Sequence, residues 1–281
     1  MSDESQASRT KVTAPPPQGF DPTTAGVKDL VRYRVPRRPD PQTDPGLTAL
    51  WDRLARRYAG FEHLQTEVQP PTATGDAALA FGLEPTEDCG YELTSFGQPF
   101  TAHFVTWTVP NLRFVAGPQG GPVRFQTFVG LGFLDVHVEM SVDAAQNVTA
   151  AVTVQGGPSG LPVAPGEVLR ASLCLDTSPP GRANIVLANE TRGQTVNFSF
   201  DSGFPPAVTI NAGVSRSALN VPFNPLAQFG IVYFDEISAY STGGFRSLTS
   251  GNAVAMVDRN GKVIARPQRL TDFTFRAEHL G

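Results

Sequence analysis

The sequence predicts an all-β fold: a two-sheet antiparallel β-sandwich of jelly-roll, concanavalin-like type with a short N-terminal α-helical extension. Three observations carry this expectation. From about residue 77 onward, about a dozen short segments alternate apolar and polar residues, with turn signals about every ten residues. The composition suits many strands and tight turns, with 27 Gly, 25 Pro, 19 Phe and only 17% charged residues. No strand–helix rhythm argues for a parallel sheet, and 281 residues can form one sandwich domain. The pattern is clearest in Arg182–Phe200. There Ile185 and Leu187 alternate with Val186 and Ala188, while Val196, Phe198 and Phe200 alternate with Asn197 and Ser199. The polar stretch Asn189–Gly193 joins the two arms into a β-hairpin.

Taken in order, residues 1–22 are polar and then Pro-rich, and are expected to be a disordered or extended tail. Residues 23–76 read as a helical leader packing on the sandwich, and 77–281 as the sandwich itself. A first helix is expected over Thr24–Tyr33, stopped by Pro36 and Pro39. In the second, Asp44 is the cap and Pro45 suits the first turn. Leu47, Leu50, Trp51, Leu54 and Tyr58 recur at helical spacing, so this stripe is read as a packing face. Strands are expected at Phe100–Val109, Val123–Val129, Val136–Val142, Val148–Val154, Val168–Asp176, Ala183–Leu187 and Val196–Phe200. Further strands are expected at Val208–Ala212, Phe229–Ala239, Ala253–Asp258, Lys262–Arg266 and Phe273–Arg276. The Asn260-Gly261 pair predicts a type I′ hairpin turn.

Composition also excludes functions. A net charge of −4 argues against a nucleic-acid surface. No hydrophobic run reaches the roughly 20 residues of a membrane-spanning helix. The first residues lack the apolar core of a secretory signal, which favours a cytoplasmic location over non-classical export. Cys89 and Cys174 have no ligand-spaced neighbours, so no metal or other cofactor is expected. They read as two small buried residues, with a single disulfide as the alternative. Nothing in the sequence specifies an oligomeric state.

Several stretches share one resemblance. The hairpin's Leu187-Ala-Asn-Glu-Thr-Arg-Gly-Gln-Thr-Val196 is similar to a Leu-x-Asn-x-Thr-Thr-Gly-Gln-x-Val segment of the glutamic peptidases, the eqolisin family. Phe100-Thr-Ala-His-Phe-Val-Thr-Trp-Thr-Val-Pro110 resembles that family's early strand ending in Trp-Thr-Val-Pro. Phe128-Val-Gly-Leu-Gly132 resembles Trp-Val-Gly-Ile-Asp, and Pro225-Leu-Ala-Gln-Phe-Gly-Ile-Val-Tyr-Phe234 a later Pro-Leu-Ala-x-Phe-Gly strand. The leader pieces Gly19-Phe-Asp-Pro22, Arg38-Pro-Asp-Pro41 and Leu47-Thr-Ala-Leu-Trp51 look like those of bacterial members. The resemblance implies a sandwich whose concave face binds peptide and cleaves it at acid pH. A glutamate would act as base and then acid, and a glutamine amide would hold the oxyanion.

The functional segments depart from the family's pattern. Its glutamine strand, Leu-Gln-Thr-Gly, matches Val136-His-Val-Glu-Met-Ser-Val142, which puts Glu139 at the glutamine position. The next strand, aromatic in the family, here reads Ala150-Ala-Val-Thr-Val-Gln155. Where the family's glutamate belongs, this sequence has Asn211-Ala-Gly-Val-Ser-Arg-Ser217, so Ser217 or Arg216 takes that place. Glu139 is the candidate catalytic residue, and Ser217 would be inactive. On one face of their strand, His137, Glu139, Ser141 and Asp143 form a polar stripe. His137, Asp143, Thr153, Trp107 and Arg216 are the ligand-binding candidates.

Three functions follow. The favoured one is a catalytically degenerate sandwich acting as a binding or structural module, with a peptide or protein as ligand. The second is an acid endopeptidase whose rearranged site uses Glu139. The third is a carbohydrate-binding sandwich, which would gain from exposed aromatics on the concave face, where Trp107 is the one strand tryptophan available.

Overall fold

The computed structural model describes residues 14–65, 82–95, 97–117, 120–177, 180–200, 204–216 and 223–281. In chain order its helices are α1 (Val27–Arg32) and α2 (Pro45–Tyr58). The strands are β1 (Glu62–His63), β2 (Asp88–Thr94), β3 (Phe100–Thr108), β4 (Val123–Leu131), β5 (Leu134–Val142), β6 (Val148–Val154), β7 (Gly157–Pro158), β8 (Val168–Thr177) and β9 (Pro180–Asn189). They continue as β10 (Gln194–Phe200), β11 (Thr209–Ser215), β12 (Ile231–Ser241), β13 (Gly244–Arg246), β14 (Asn252–Val254), β15 (Met256–Val257), β16 (Val263–Thr271) and β17 (Thr274–His279). Among the described residues they make two sheets. A ten-stranded sheet runs β1-β10-β9-β8-β3-β12-β17-β16-β15, with β13 beside β12. A seven-stranded sheet runs β14-β2-β11-β4-β5-β6-β7. All pairings are antiparallel except the short β1–β10 contact.

Alternation along each strand places one face in a shared core. Val136, Val138, Met140 and Val142 of β5 pack there with Val105 and Trp107 of β3, Ile185 and Leu187 of β9, and Phe234 of β12. Two polar side chains of β3 cross this core to β4. Trp107 Nε1 donates to Thr127 Oγ1 at 2.9 Å, and His103 Nδ1 lies 3.0 Å from the Gly130 carbonyl. Burial lowers the His103 pKa to about 4, so the ring is neutral and Nδ1 carries the donated hydrogen. Cys89 and Cys174 lie on different sheets and are free thiols, so the disulfide alternative is not realised.

The other face of the ten-stranded sheet is covered by the helices. Asp44 caps α2 through a 2.9 Å bond from Leu47 N. Leu50 and Leu54 pack on Ala102, Phe104 and Tyr240, while Trp51, Ala55 and Tyr58 pack on Val186. Trp51 Nε1 donates to the Pro36 carbonyl at 2.9 Å. Beyond this apolar seat lies a charge clasp. Arg57 takes both oxygens of Glu236 at 3.0 and 3.1 Å, and buried Arg170 pairs with Glu190 at 2.7 Å. Glu236 reaches Arg57 from a left-handed backbone (φ 51°) at an irregularity in the β12–β3 register.

Two local expectations need correction. The first helix begins at Val27 rather than Thr24, because the preceding residues form a turn on Asp21. Thr23 N and Oγ1 both donate to the Asp21 carboxylate, at 2.8 and 2.7 Å. The Asn260-Gly261 turn is not type I′, which needs a positive φ at both residues; only Gly261 has one, at 77°. Gly261 N instead bonds Asp258 O at 3.0 Å, making a type I turn followed by a left-handed glycine. The strands expected from alternation do not include β2.

Removing residues 1–60 uncovers Ala102, Phe104, Tyr240 and Val186. Burial of Trp51 and Leu54 alone contributes a few kcal/mol, of order 3–5, so the truncated chain should melt clearly lower by calorimetry. An unchanged melting temperature would contradict the docking. Gly90 and Gly213 face each other across β2–β11, and a Cβ on Gly213 would lie 2.4 Å from the Cys89 carbonyl. Gly213→Ala should therefore cost about 1–3 kcal/mol in urea unfolding, and no loss would show that the strands can separate freely.

Candidate functional site

The seven-stranded sheet turns its polar residues away from the core. Its register places them in rows across the strands. One row runs Asp88 (β2), Ser215 (β11), Gln126 (β4), Glu139 (β5) and Ala151 (β6). The next runs Gly90, Gly213, Phe128, His137 and Thr153. With strands about 4.8 Å apart, Gln126 and Glu139 are direct neighbours, and Asp88 sits two strands from Gln126.

Glu139 is exposed, and Thr153 Oγ1 donates to its Oε1 at 3.2 Å. His137 Nε2 lies 3.6 Å from Asp135 Oδ1, and burial raises the Asp135 pKa against the opposing pull of His137. Ser141 Oγ bonds Thr149 Oγ1 at 2.8 Å, extending the polar face to β6. Gln126 engages no hydrogen-bond partner among the described residues, although its side chain is nearly covered. Phe128 is also buried on this face, its ring over Gly213: a Cβ there would lie 2.9 Å from it.

The five ligand-binding candidates do not converge. His137 and Thr153 are register partners on this face beside Glu139. Asp143 lies beyond the end of β5, where its carboxylate accepts from Ala145 N, Asn147 N and Asn147 Nδ2, each at 2.9 Å. That turn bonding holds the Asp143 pKa down, so it closes the β5–β6 turn and does not extend the stripe. Trp107 is turned into the core, where its Nε1 donates to Thr127, so it is not among the side chains on the open face. Arg216 is buried, donating to the carbonyls of Asn224 at 2.6 Å and Val257 at 2.7 Å, and so braces a loop rather than facing a ligand. Ser217 lies outside the described residues.

One residue of the row, Gln126, escaped sequence reasoning, and a second, Asp88, was assigned no role by it. Gln126 precedes the recognised Phe128-Val-Gly segment by two positions and shares its outward phase. That alternation was a usable signal, but its position opposite Glu139 required the β4–β5 register. Asp88 is buried, and its Oδ2 accepts from Glu84 N at 2.9 Å. Desolvation raises its pKa to about 6, against the lowering effects of the Glu84 amide and the Ser215 hydroxyl. Among the described residues no cluster of three or more His, Cys, Asp or Glu side chains could hold a metal ion.

Comparison with known proteins places this geometry. The model of the Peptidase A4 family matches residues 86–274. Scytalido-glutamic peptidase, solved with a transition-state analogue inhibitor, is similar in fold at 19% identity and a TM-score of 0.53, over 69% of this chain and 98% of that one. SCP-B, an eqolisin solved with the tripeptide Ala-Ile-His, is similar at 19% identity and a TM-score of 0.55 over the same shares. No curated protein sequence matches the chain. The family match spans more than half of the chain and two sheets of the same fold surround it, so this protein belongs to the Peptidase A4 family, the glutamic peptidases.

Proposed function

We propose that this chain is a catalytically degenerate glutamic-peptidase-like sandwich, a binding module whose polar face takes a peptide or protein segment. One observation carries the reading. β11, the strand that resembles the family's glutamate strand, presents Thr209, Asn211, Gly213 and Ser215 on the polar face and no carboxylate. A hydrolytic site of this type needs a group to take a proton from water, and its loss costs several orders of magnitude in rate. Asp88, the acid in the same row, caps the Glu84 turn beneath the surface and is not offered to a ligand. The related folds solved with a tripeptide and with a transition-state analogue support a peptide as the ligand.

A second reading rests on Gln126. It stands opposite Glu139 with its amide unengaged among the described residues, so the chain retains one acid and one amide side by side. In that reading Glu139 activates water and Gln126 holds the oxyanion of an acid endopeptidase.

The two readings separate in one assay. A denatured protein substrate is incubated between about pH 2 and pH 5 with the wild type and with Glu139→Gln. The binding reading expects no measurable cleavage by either. Cleavage by the wild type that vanishes in the variant would overturn the binding reading and make Glu139 the acid/base.

Asp88 gives a separate test of its structural role. Because its folded pKa is raised, its favourable contribution is present below the ordinary carboxyl value near 4 and is lost as pH rises through about 6. That gap corresponds to roughly 3 kcal/mol. Asp88→Asn keeps an acceptor for Glu84 N and cannot ionise, so it should gain stability over the wild type on going from pH 4 to about pH 7. A pH-independent difference in melting temperature would show that Asp88 titrates normally.

A further inference from the structure

His63 sits where several parts of the leader meet at the edge of the ten-stranded sheet. β1 holds it beside β10 through two backbone bonds, Glu62 N to Gly193 O at 2.7 Å and Leu64 N to Thr195 O at 2.9 Å. Its ring leans on Tyr58, the last residue of α2, with centroids 4.5 Å apart. Pro15 and Pro16 of the Pro-rich start, Tyr33 at the end of α1, and Thr195 and Asn197 of β10 line the same cavity. That cavity measures about 10 Å³, room for about one water. Asn197 ties the two helix ends together here, its Nδ2 donating to Tyr33 O at 2.9 Å and to the Tyr58 hydroxyl at 2.6 Å.

The junction accepts an uncharged ring and offers nothing to a charged one. Both His63 nitrogens are buried and without a hydrogen-bond partner among the described residues. An imidazolium would bury two N–H donors and a full charge there, at far greater cost than the neutral ring. No described carboxylate faces it. On β1 itself, Glu62 projects to the opposite side, where Gln194 Nε2 donates to it at 2.8 Å. From α2, Tyr58 presents a phenol that burial keeps protonated, while Arg57 is turned to Glu236 and Glu190 at 3.0 and 3.8 Å. Tyr33 adds a second phenol, and Pro15, Pro16, Thr195 and Asn197 add no titratable group. Burial alone pulls the His63 pKa down to about 4.

We infer that this junction is an acid-sensitive latch: a neutral His63 ring holds β1 and the Pro-rich start against β10, and protonation of the ring releases them. A free imidazole takes up its proton near pH 6.5 and the docked one only near 4. Docking is therefore full above about pH 6.5 and weakens as pH falls toward 4. Solvent screening of the partly exposed ring reduces the effect, leaving a weakening of about ten-fold between pH 7 and about 4.5. Release frees the Gly193 and Thr195 carbonyls and opens that edge of the sheet. The latch lies on the other sheet from the polar face and does not depend on what that face binds.

Two measurements on the full chain test this. An NMR titration of the imidazoles should place His63 about one pH unit or more below the ordinary value near 6.5. Amide hydrogen exchange, expressed as protection relative to the unstructured rate at each pH, should show Glu62 and Leu64 losing about ten-fold between pH 7 and about 4.5. Val136–Val142 of β5 should keep their protection, which separates the latch from any effect of the core ring of His103. His63→Phe cannot ionise and should hold β1 equally at both pH values, with His63→Gln as a second uncharged variant. An ordinary His63 titration, unchanged protection in the wild type, equal loss in the uncharged variants, or loss that extends to β5 would each overturn the inference. The wild-type titration and exchange decide the matter even if neither variant folds.

Discussion

The two sheets are held in one alignment by the polar groups that β3 sends across the core. A buried indole or imidazole N–H without a partner costs a few kcal/mol, of order 1–3. Trp107 finds Thr127, and His103 finds the Gly130 carbonyl, both on β4. A slip of one residue between the sheets would strand both donors in an apolar interior. β3 and β4 lie in the interiors of their sheets, so their alignment propagates to the neighbours of each. The same β4 strand presents Gln126 and Phe128 on its other side. The polar face is therefore positioned by hydrogen bonds on the opposite side of its own sheet.

The two outer faces have different fates. The ten-stranded sheet carries Ala102, Phe104 and Val186 outward, and that apolar surface is covered by α2. The charge clasp at its edge adds placement more than energy, because pairing only offsets what burying Arg170 costs. Breaking either partner would leave an uncompensated charge under the helix. The seven-stranded sheet carries Glu139, Ser141 and Thr149 outward with no described helix over them. The leader thus seats on the side away from the candidate site, consistent with support rather than obstruction.

Much of this was legible because it is local. Asp44, Pro45 and the Leu-Trp-Leu spacing specify α2 almost to the residue, and the alternation of Ile185, Leu187, Val196 and Phe198 specifies the β9–β10 hairpin. The outward phase of His137, Glu139 and Ser141 could likewise be read from β5 alone. Most of what was not legible depends on contacts outside the local pattern. β2 shows little alternation, since Asp88, Cys89, Gly90 and Tyr91 are all buried and Gly90 lies against Gly213 of β11. Trp107 could not be assigned to a face, because its inward phase is stabilised by Thr127 on another sheet. Asp143 fitted the period of the stripe, yet its own turn captured its carboxylate. Arg216 donates to the carbonyls of nearby Asn224 and distant Val257, contacts that its own strand does not reveal.

The central claim is that the open face of β4, β5 and β6 binds peptide although β11 offers no carboxylate. Amide chemical-shift mapping with an extended, uncharged hexapeptide addresses it most directly. The account predicts perturbations centred on Gln126, Glu139 and Thr153, with those of Ala102 and Phe104 beneath α2 unchanged. Perturbations confined to other surfaces, or none at saturating peptide, would contradict it.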